Sequence, residues 1–172
     1  NNLTIHLWVR RDGWRENWQG FLSKRGEGGQ GWQLRRSNNT NNPSFTLRGT
    51  TADDESRISN YTIANNTWIH FVAAYGDGLR RVYADGVEIQ NIGDGQPILP
   101  TDYTVRIGAR DGGSGRHRGD IDEVRIENIA RSAEWAKASY PPFLEAPVPL
   151  EHPFSFHTDC GVVLSSERWR PA

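Results

Sequence analysis

The 172-residue chain is short of several things that sort proteins into classes. It has no Met and one Cys, Cys160, so no internal disulfide can staple it, and with no His or Cys ligands spaced around it the thiol reads as a bystander. Neither sign of charge is in surplus, since 20 Lys and Arg stand against 21 Asp and Glu. Such a chain creates no field to gather nucleic acid or anionic membrane, and any binding must be local. No apolar run is long enough to cross a bilayer, and no cleavable signal sequence opens the chain, which begins Asn1, Asn2, Leu3. It reads as a mature or excised piece of a longer protein. His6, His70, His117, His152 and His157 lack the paired spacing of a zinc site.

What the chain does have is 18 Gly, 9 Pro and 7 Trp, with 35% hydrophobic residues, a mix that suits short strands and tight turns. Trp serves twice in such a protein: its bulk anchors a core, and its flat face stacks on sugar rings. LTIHLWVRR alternates Leu3, Ile5, Leu7 and Val9 with Thr4, His6, Trp8 and Arg10, the period of a half-buried strand. GFLSKRG, GWQLRRS and SFTLRG follow as short strands, divided by EGGQ and the Asn-rich NNTNNP. WIHFVAAYG is a strongly apolar strand, and in LRRVYADGVEIQ the pair Asp85, Gly86 supplies the positive-φ positions of a two-residue hairpin turn. YTVRIGAR, the loop DGGSGRHRG and the strand DIDEVRIEN come next. The period then changes, and SAEWAKASY reads as one short helix capped by Ser132 and stopped by Pro141 and Pro142. Evenly spaced strands with a single terminal helix predict an all-β fold, an antiparallel β-sandwich or jelly roll, over residues 1–140. Residues 141–153 form a Pro-rich linker, and 154–172 a tail holding one further strand or hairpin.

In this order, LTIHLWVRR, FLSKRG, GWQLR, WIHFVAAYGDGLRRVYADGV, VRIGAR and GDIDEVRIENIARSAEW resemble the laminin-G-like jelly rolls of the concanavalin A-like lectin/glucanase superfamily, over roughly residues 3 to 140. The resemblance implies two stacked antiparallel sheets in an extracellular or cell-surface protein, often as a noncatalytic module of a larger multidomain one. It does not choose a function, because this fold hosts lectins, glycosidases, lyases and adhesion modules. Members of the family usually start with a strand that pairs with the closing strand, and nothing before Asn1 supplies it here. FSFHTDCGVVLSS has a similar outline, so the tail is expected either to replace that strand or to begin a second repeat.

Three chemistries compete for the charged closing strand and its neighbours. Paired carboxylates for glycoside hydrolysis need about 5 to 5.5 Å between them in a retaining enzyme, which acids two residues apart on one strand face provide. The superfamily's glucanases use Glu-x-Asp-x-Glu, whereas alternate positions here hold Asp120, Asp122 and Val124, with Glu123, Arg125 and Glu127 expected on the opposite face. A solvated charge ladder fits better than an active site. A structural calcium ion, which many laminin-G-like domains hold through the Asp of this strand, would use Asp122, in phase with Val124 and Ile126 and therefore expected to be partly buried, with Asp159 as a partner from the tail. A bonded, metal-free Asp122 is the equal alternative.

Carbohydrate binding needs aromatic faces for the sugar ring and planar polar groups for its hydroxyls. Trp14 and Trp18 lie in the polar stretch DGWRENW, where no strand alternation buries them, although a loop Trp also plugs the end of a sandwich. Arg35, Arg110, Asp111, Arg116 and His117 border the same loops. The RGD at 118–120 enters a strand rather than a loop tip and reads as chance. The expectation is a noncatalytic carbohydrate-binding, lectin-like module that targets a larger protein to polysaccharide or cell-surface glycan. The alternatives are a structural or adhesion module with no sugar site and, behind it, a glycosidase or polysaccharide lyase.

Overall fold

The computed structural model describes residues 2–25, 30–48, 57–93, 97–140, 156–157 and 162–164. Alternation along β1 (Leu3–Arg11) sends Leu3, Ile5, Leu7 and Val9 to one face, where none is more than 6% exposed. This strand lies between β5 (Trp68–Gly76) and β9 (Gly119–Glu127), antiparallel to both. From β5 the sheet continues through β6 (Leu79–Ala84) to β7 (Val87–Gly93). The two hairpins turn at Asp77, Gly78 and at Asp85, Gly86, all four at positive φ, which is the twist that two-residue turns require.

A second sheet forms from β2 (Gly20–Arg25), β3 (Gly31–Arg36), β4 (Pro43–Arg48) and β8 (Val105–Ile107). The tail adds β10 (Phe156–His157) to the first sheet and β11 (Val162–Leu164) to the second. The orders are β10-β9-β1-β5-β6-β7 and β11-β8-β2-β3-β4. The remainder of the tail and the linker, 141–153, lie outside the described residues.

Leu22, Leu34, Phe45 and Ile107 line the inner face of the second sheet and meet Ile5, Leu7, Phe71 and Ile121 of the first in one buried cluster. Phe21 and Phe71 stack with ring centroids 6.0 Å apart. Full burial of side chains of this size stabilises the fold by roughly 1.5–3 kcal/mol each. The result is an antiparallel β-sandwich jelly roll with one short helix, the fold class that the alternation predicts.

The helix α1 (Ala133–Ser139) is capped by Ser132, whose hydroxyl accepts from the Trp135 amide at 3.3 Å. Its Ala136 and Trp135 pack on Val72 and Tyr83, on the outer face of the six-stranded sheet. Gly86 lies beneath the helix end, where an added Cβ would stand 3.3 Å from the Lys137 Cα, so the turn residue also lets the helix approach.

The phase of β9 differs from the expectation. A bulge sets Glu123 at φ +47 and shifts the register against β1 between His6 and Trp8. The extra residue reverses the alternation, so Asp120, Asp122, Arg125 and Glu127 stand opposite Arg10, Trp8, His6 and Thr4 and share one outer face. Asp120, Asp122 and Glu127 therefore share a face rather than splitting between two, and Asp122 is out of phase with Val124 and Ile126. Ile121 points inward before the bulge, and Val124 packs against the core after it.

Beneath α1 lie two buried histidines, His6 at 2% and His70 at 0% exposure, with ring centroids 4.4 Å apart. Trp135 meets His6 edge-on, and Trp8 and Tyr140 flank His70. None of their four ring nitrogens finds a hydrogen-bond partner among the described residues. Burial, with help from Arg125, pushes His6 down to about 4, and burial with the neighbouring His6 pushes His70 down to about 3. In the unfolded chain both titrate near 6.5. Between these values the unfolded chain binds protons that the folded chain refuses, so the contribution to stability is whole above pH 6.5 and is lost as pH falls toward 4 and 3. At about 1.4 kcal/mol per pKa unit the loss amounts to several kcal/mol. Melting temperature should therefore fall steeply between pH 6.5 and 4, and His70→Phe should flatten that slope; equal slopes for the two proteins would assign the acid sensitivity to other groups.

Candidate functional site

The loops at residues 12–19, 37–42, 57–67 and 108–118 gather at one end of the sandwich, where backbone hydrogen bonds tie Trp18 to Asn38, Gly20 to Gly115, Ile63 to Asn41 and Asn66 to Arg11. Trp14, Trp18, Arg110, Asp111 and Arg116 all sit at this end. The structure divides them into two groups with different neighbours.

Trp14 plugs the sandwich. It packs against the core, its Nε1 donates to Asn41 Oδ1 at 2.5 Å, and the Arg11 and Arg36 guanidiniums lie 4.4 and 4.3 Å from its ring centroid. Both arginines are buried. Arg11 Nε donates to the Ile63 and Ala64 carbonyls, and Arg36 Nη1 donates to the Glu16 carbonyl at 2.9 Å. Burial pulls the pKa of each below the usual arginine value. Two cations on one indole leave little ring surface for a ligand.

Trp18 takes the other side. Its φ of +58 and the bond from its amide to the Asn38 carbonyl at 3.0 Å turn the half-exposed ring over Arg35, whose guanidinium carbon is 4.2 Å from the centroid. Arg35 is only 4% exposed. It belongs to the outer face of the five-stranded sheet, where cross-strand partners place Ser23 beside Gln33 and Thr46, and Arg35 beside Ser44. With its amide turned so that the oxygen faces the arginines, Gln33 accepts from Arg35 Nε at 3.1 Å and from Arg25 Nη1. Arg35 Nη2 donates to Thr46 Oγ1 at 3.5 Å, and the Ser44 and Thr46 hydroxyls are 3.2 Å apart. The sequence reading passed over Arg25, Gln33, Ser44 and Thr46, although alternation in GWQLRR already puts Gln33 and Arg35 on one face.

The loop 108–118 completes this edge. Gly115, at φ +55, leaves no room for a Cβ between the Trp18 carbonyl and the Arg110 side chain, so Arg110 lies beside Trp18. Arg116 is exposed, its amide 3.3 Å from Glu16 Oε2 and its Nε donating to the Gly113 carbonyl. Asp111 opens the 3₁₀ turn Asp111–Gly113. His117 is 1% exposed and belongs to the interior: its ring is edge-on to Phe21, Nε2 is 3.2 Å from the Arg10 carbonyl, and burial pushes its pKa down to about 4.

The acids of β9 already have partners. Asp120, the last residue of the RGD, is ion-paired with Arg10, and Glu127 bonds Arg131, which lowers the pKa of the carboxyl. Asp122 Oδ1 accepts from the Glu123 amide at 2.7 Å and so braces the bulge. Calcium takes six to eight oxygen ligands. Among the described residues no three or more His, Cys, Asp or Glu side chains gather as a metal centre, so those carboxylates alone do not make a calcium cage. Asp159 lies outside the described residues.

Two antiparallel sheets packed face to face, with the loops gathered at one end, define a β-sandwich jelly-roll class of domain. The match to the laminin-G family profile of the Concanavalin A-like lectin/glucanases superfamily covers residues 1–137, and the chain belongs to that family. Among curated proteins, adhesion G-protein coupled receptor V1 of Danio rerio is 26% identical over 134 residues, 73% of this chain and 2% of the receptor. Among solved structures, domain 4 of AbnA, a GH43 extracellular arabinanase from Geobacillus stearothermophilus, in complex with arabinotriose, superposes with a TM-score of 0.66 at 19% identity over 82% of this chain and 67% of that one. A putative carbohydrate binding protein from Bacteroides ovatus gives 0.63 at 19% identity, over 79% and 40%. At these identities the structures share the fold.

If Asp122 serves the bulge, Asp122→Ala should cost about 1 kcal/mol, the usual worth of one such hydrogen bond, and cost the same in chelator as in calcium. Paired melting curves of the two proteins measure this. A cost that appears only with calcium would make Asp122 a metal ligand.

Proposed function

We propose that this domain is a noncatalytic carbohydrate-binding module of a larger extracellular or cell-surface protein, and that it contacts glycans with the loop end around Trp18. One observation carries the reading: a half-exposed indole rests on the buried, hydrogen-bonded Arg35, at the margin of a sheet face made of Arg25, Gln33, Ser44 and Thr46. One face of Trp18 is fixed by the arginine below, and an aromatic plane so held stacks on the C–H face of a sugar at little entropic cost. Arg110, near the Trp18 carbonyl, and the exposed Arg116 of the same loop supply donors for hydroxyls or acidic groups. Arg35, beneath the ring, acts as a positioning residue. The arabinotriose complex of a domain with this fold supports the same reading.

The noncatalytic part rests on β9. Asp120 and Glu127 are taken up by Arg10 and Arg131, and Asp122 accepts from the Glu123 amide, so the acids of this strand are engaged by structural partners.

Affinity electrophoresis against a panel of polysaccharides tests the proposal. The protein should be retarded by at least one glycan, and Trp18→Ala should abolish the retardation while leaving the melting temperature nearly unchanged. Trp14→Ala should instead destabilise the fold, by roughly 2–4 kcal/mol for a plug residue packed on the core. No retardation by any glycan would favour the adhesion or structural module, and release of reducing ends or unsaturated products would overturn the noncatalytic reading.

A further inference from the structure

We infer that α1 is an acid-released cover: it seals His6 and His70 at neutral pH and lifts off them as a unit when the medium is acidified, while the sandwich beneath stays folded. The two imidazoles stand on the outer face of the six-stranded sheet, diagonal to each other across β1 and β5, since His6 opposes Val72 and His70 opposes Trp8. Trp135 closes over His6 and Tyr140 over His70, with ring centroids 5.8 and 6.0 Å apart. Apolar residues at positions 6 and 70 would seat the helix without desolvating a polar group. Imidazoles whose ring nitrogens are all unbonded in the seated state make the seat conditional on their staying neutral.

What yields is the cover rather than the sheet. β1 and β5 are interior strands, each paired on both sides, so neither ring reaches water by a movement of its own strand. α1 has seven residues, too few to persist as a helix away from the sheet, and it rests there through Ala136 and Trp135 against Val72 and Tyr83. Just before it, the Arg131 amide donates to Thr4 Oγ1 and the Arg131 guanidinium to Glu127. These bonds anchor residue 131 and make it the pivot for residues 132–140.

The charges around the pair do little for an imidazolium. Arg125 of β9, opposite His6, disfavours it, and Glu127, two residues on, favours it with a carboxylate already bonded to Arg131. Asp122, opposite Trp8, is turned to the Glu123 amide. On the helix, Glu134 and Lys137 are exposed and opposite in sign. Asp85, in the turn under the helix end, takes the backbone amide of His70 rather than its ring, and Glu88 and Arg81 act on Tyr83 at the far side of the covered face. Each ring therefore gains its proton near 6.5 when the cover is up, and only near 4 and 3 when it is down. Between these limits the lifted state holds two more protons, so its share rises by up to about a hundredfold per pH unit. Once α1 is up both rings are in water, and further acid no longer weakens the sandwich through them.

Hydrogen exchange of the full chain, read by mass spectrometry and divided by the intrinsic rate at each pH, tests this. Between pH 6 and 5 the opening constant of residues 132–140 should rise about a hundredfold, and only about tenfold in His6→Phe or His70→Phe, while β3 and β4 keep their protection. Should the phenylalanine variants fail to fold, Trp135→Ala strips the cover and leaves both histidines. In that protein the His6 ring, followed by proton NMR, should titrate toward 6.5 instead of near 4. An opening constant that rises no faster in the unmodified chain than in the histidine variants would overturn the inference. So would loss of protection in β3 and β4 in step with 132–140, or a His6 ring that still titrates near 4 in Trp135→Ala.

Discussion

Two sheet faces packed against each other set every other feature of this molecule. Leu3, Ile5, Leu7 and Val9 of β1 meet the inner faces of the neighbouring strands and of the second sheet, and each is nearly or fully buried. Because strand side chains alternate, committing those four residues inward commits Thr4, His6, Trp8 and Arg10 outward, and the cross-strand register carries the assignment to β5 and β9. The same logic in the second sheet drives Leu22, Leu34 and Phe45 in and leaves Ser23, Gln33, Arg35, Ser44 and Thr46 out. What the outer faces do next is a matter of their cover.

The two outer faces solve the burial of polar groups in opposite ways. On the five-stranded sheet, amide, guanidinium and hydroxyl groups bond one another, so burial of Gln33 and Arg35 is compensated within the face. On the six-stranded sheet the apolar side of α1 covers His6 and His70 and offers their ring nitrogens nothing. Neutral imidazole tolerates such a site far better than imidazolium, which is why both pKa values fall. One face is stabilised by its polar groups at any pH where arginine is charged, and the other carries a latent cost that acid exposes.

Much of the fold was legible from local chemistry. The alternation of β1, the Asp-Gly turn before Val87 and the Ser132 cap are all signals written within a few residues, and each appears where the sequence places it. The β9 bulge was not, because no residue in DIDEVRIE demands a positive φ; Glu123 adopts one only in response to pairing with β1, and it overturned the reading of which acids share a face. The site was legible as a region and not in its parts. Trp14 and Trp18 have similar polar neighbours in sequence, and only the packing of the two sheets makes one a plug between them and the other a ring on an outer face. His117 reads as a loop residue from its glycine-rich surroundings, yet the loop that crosses the sandwich end carries it inside against Phe21.

The loop end and the sheet edges meet in the same two strands. The loop 108–118, which brings Arg110 near the Trp18 carbonyl, is strung between β8 in one sheet and β9 in the other. Those are the strands whose outer edges pair with β11 and β10. β8 is only three residues long and has two paired residues with β2, so β11, which pairs with all three, is its longer ladder. A strand held by so few bonds on one side moves easily, and a loop anchored to it shares that motion. Pairing with β11 therefore bears on the anchorage of the loop 108–118 as well as on the sheet edge.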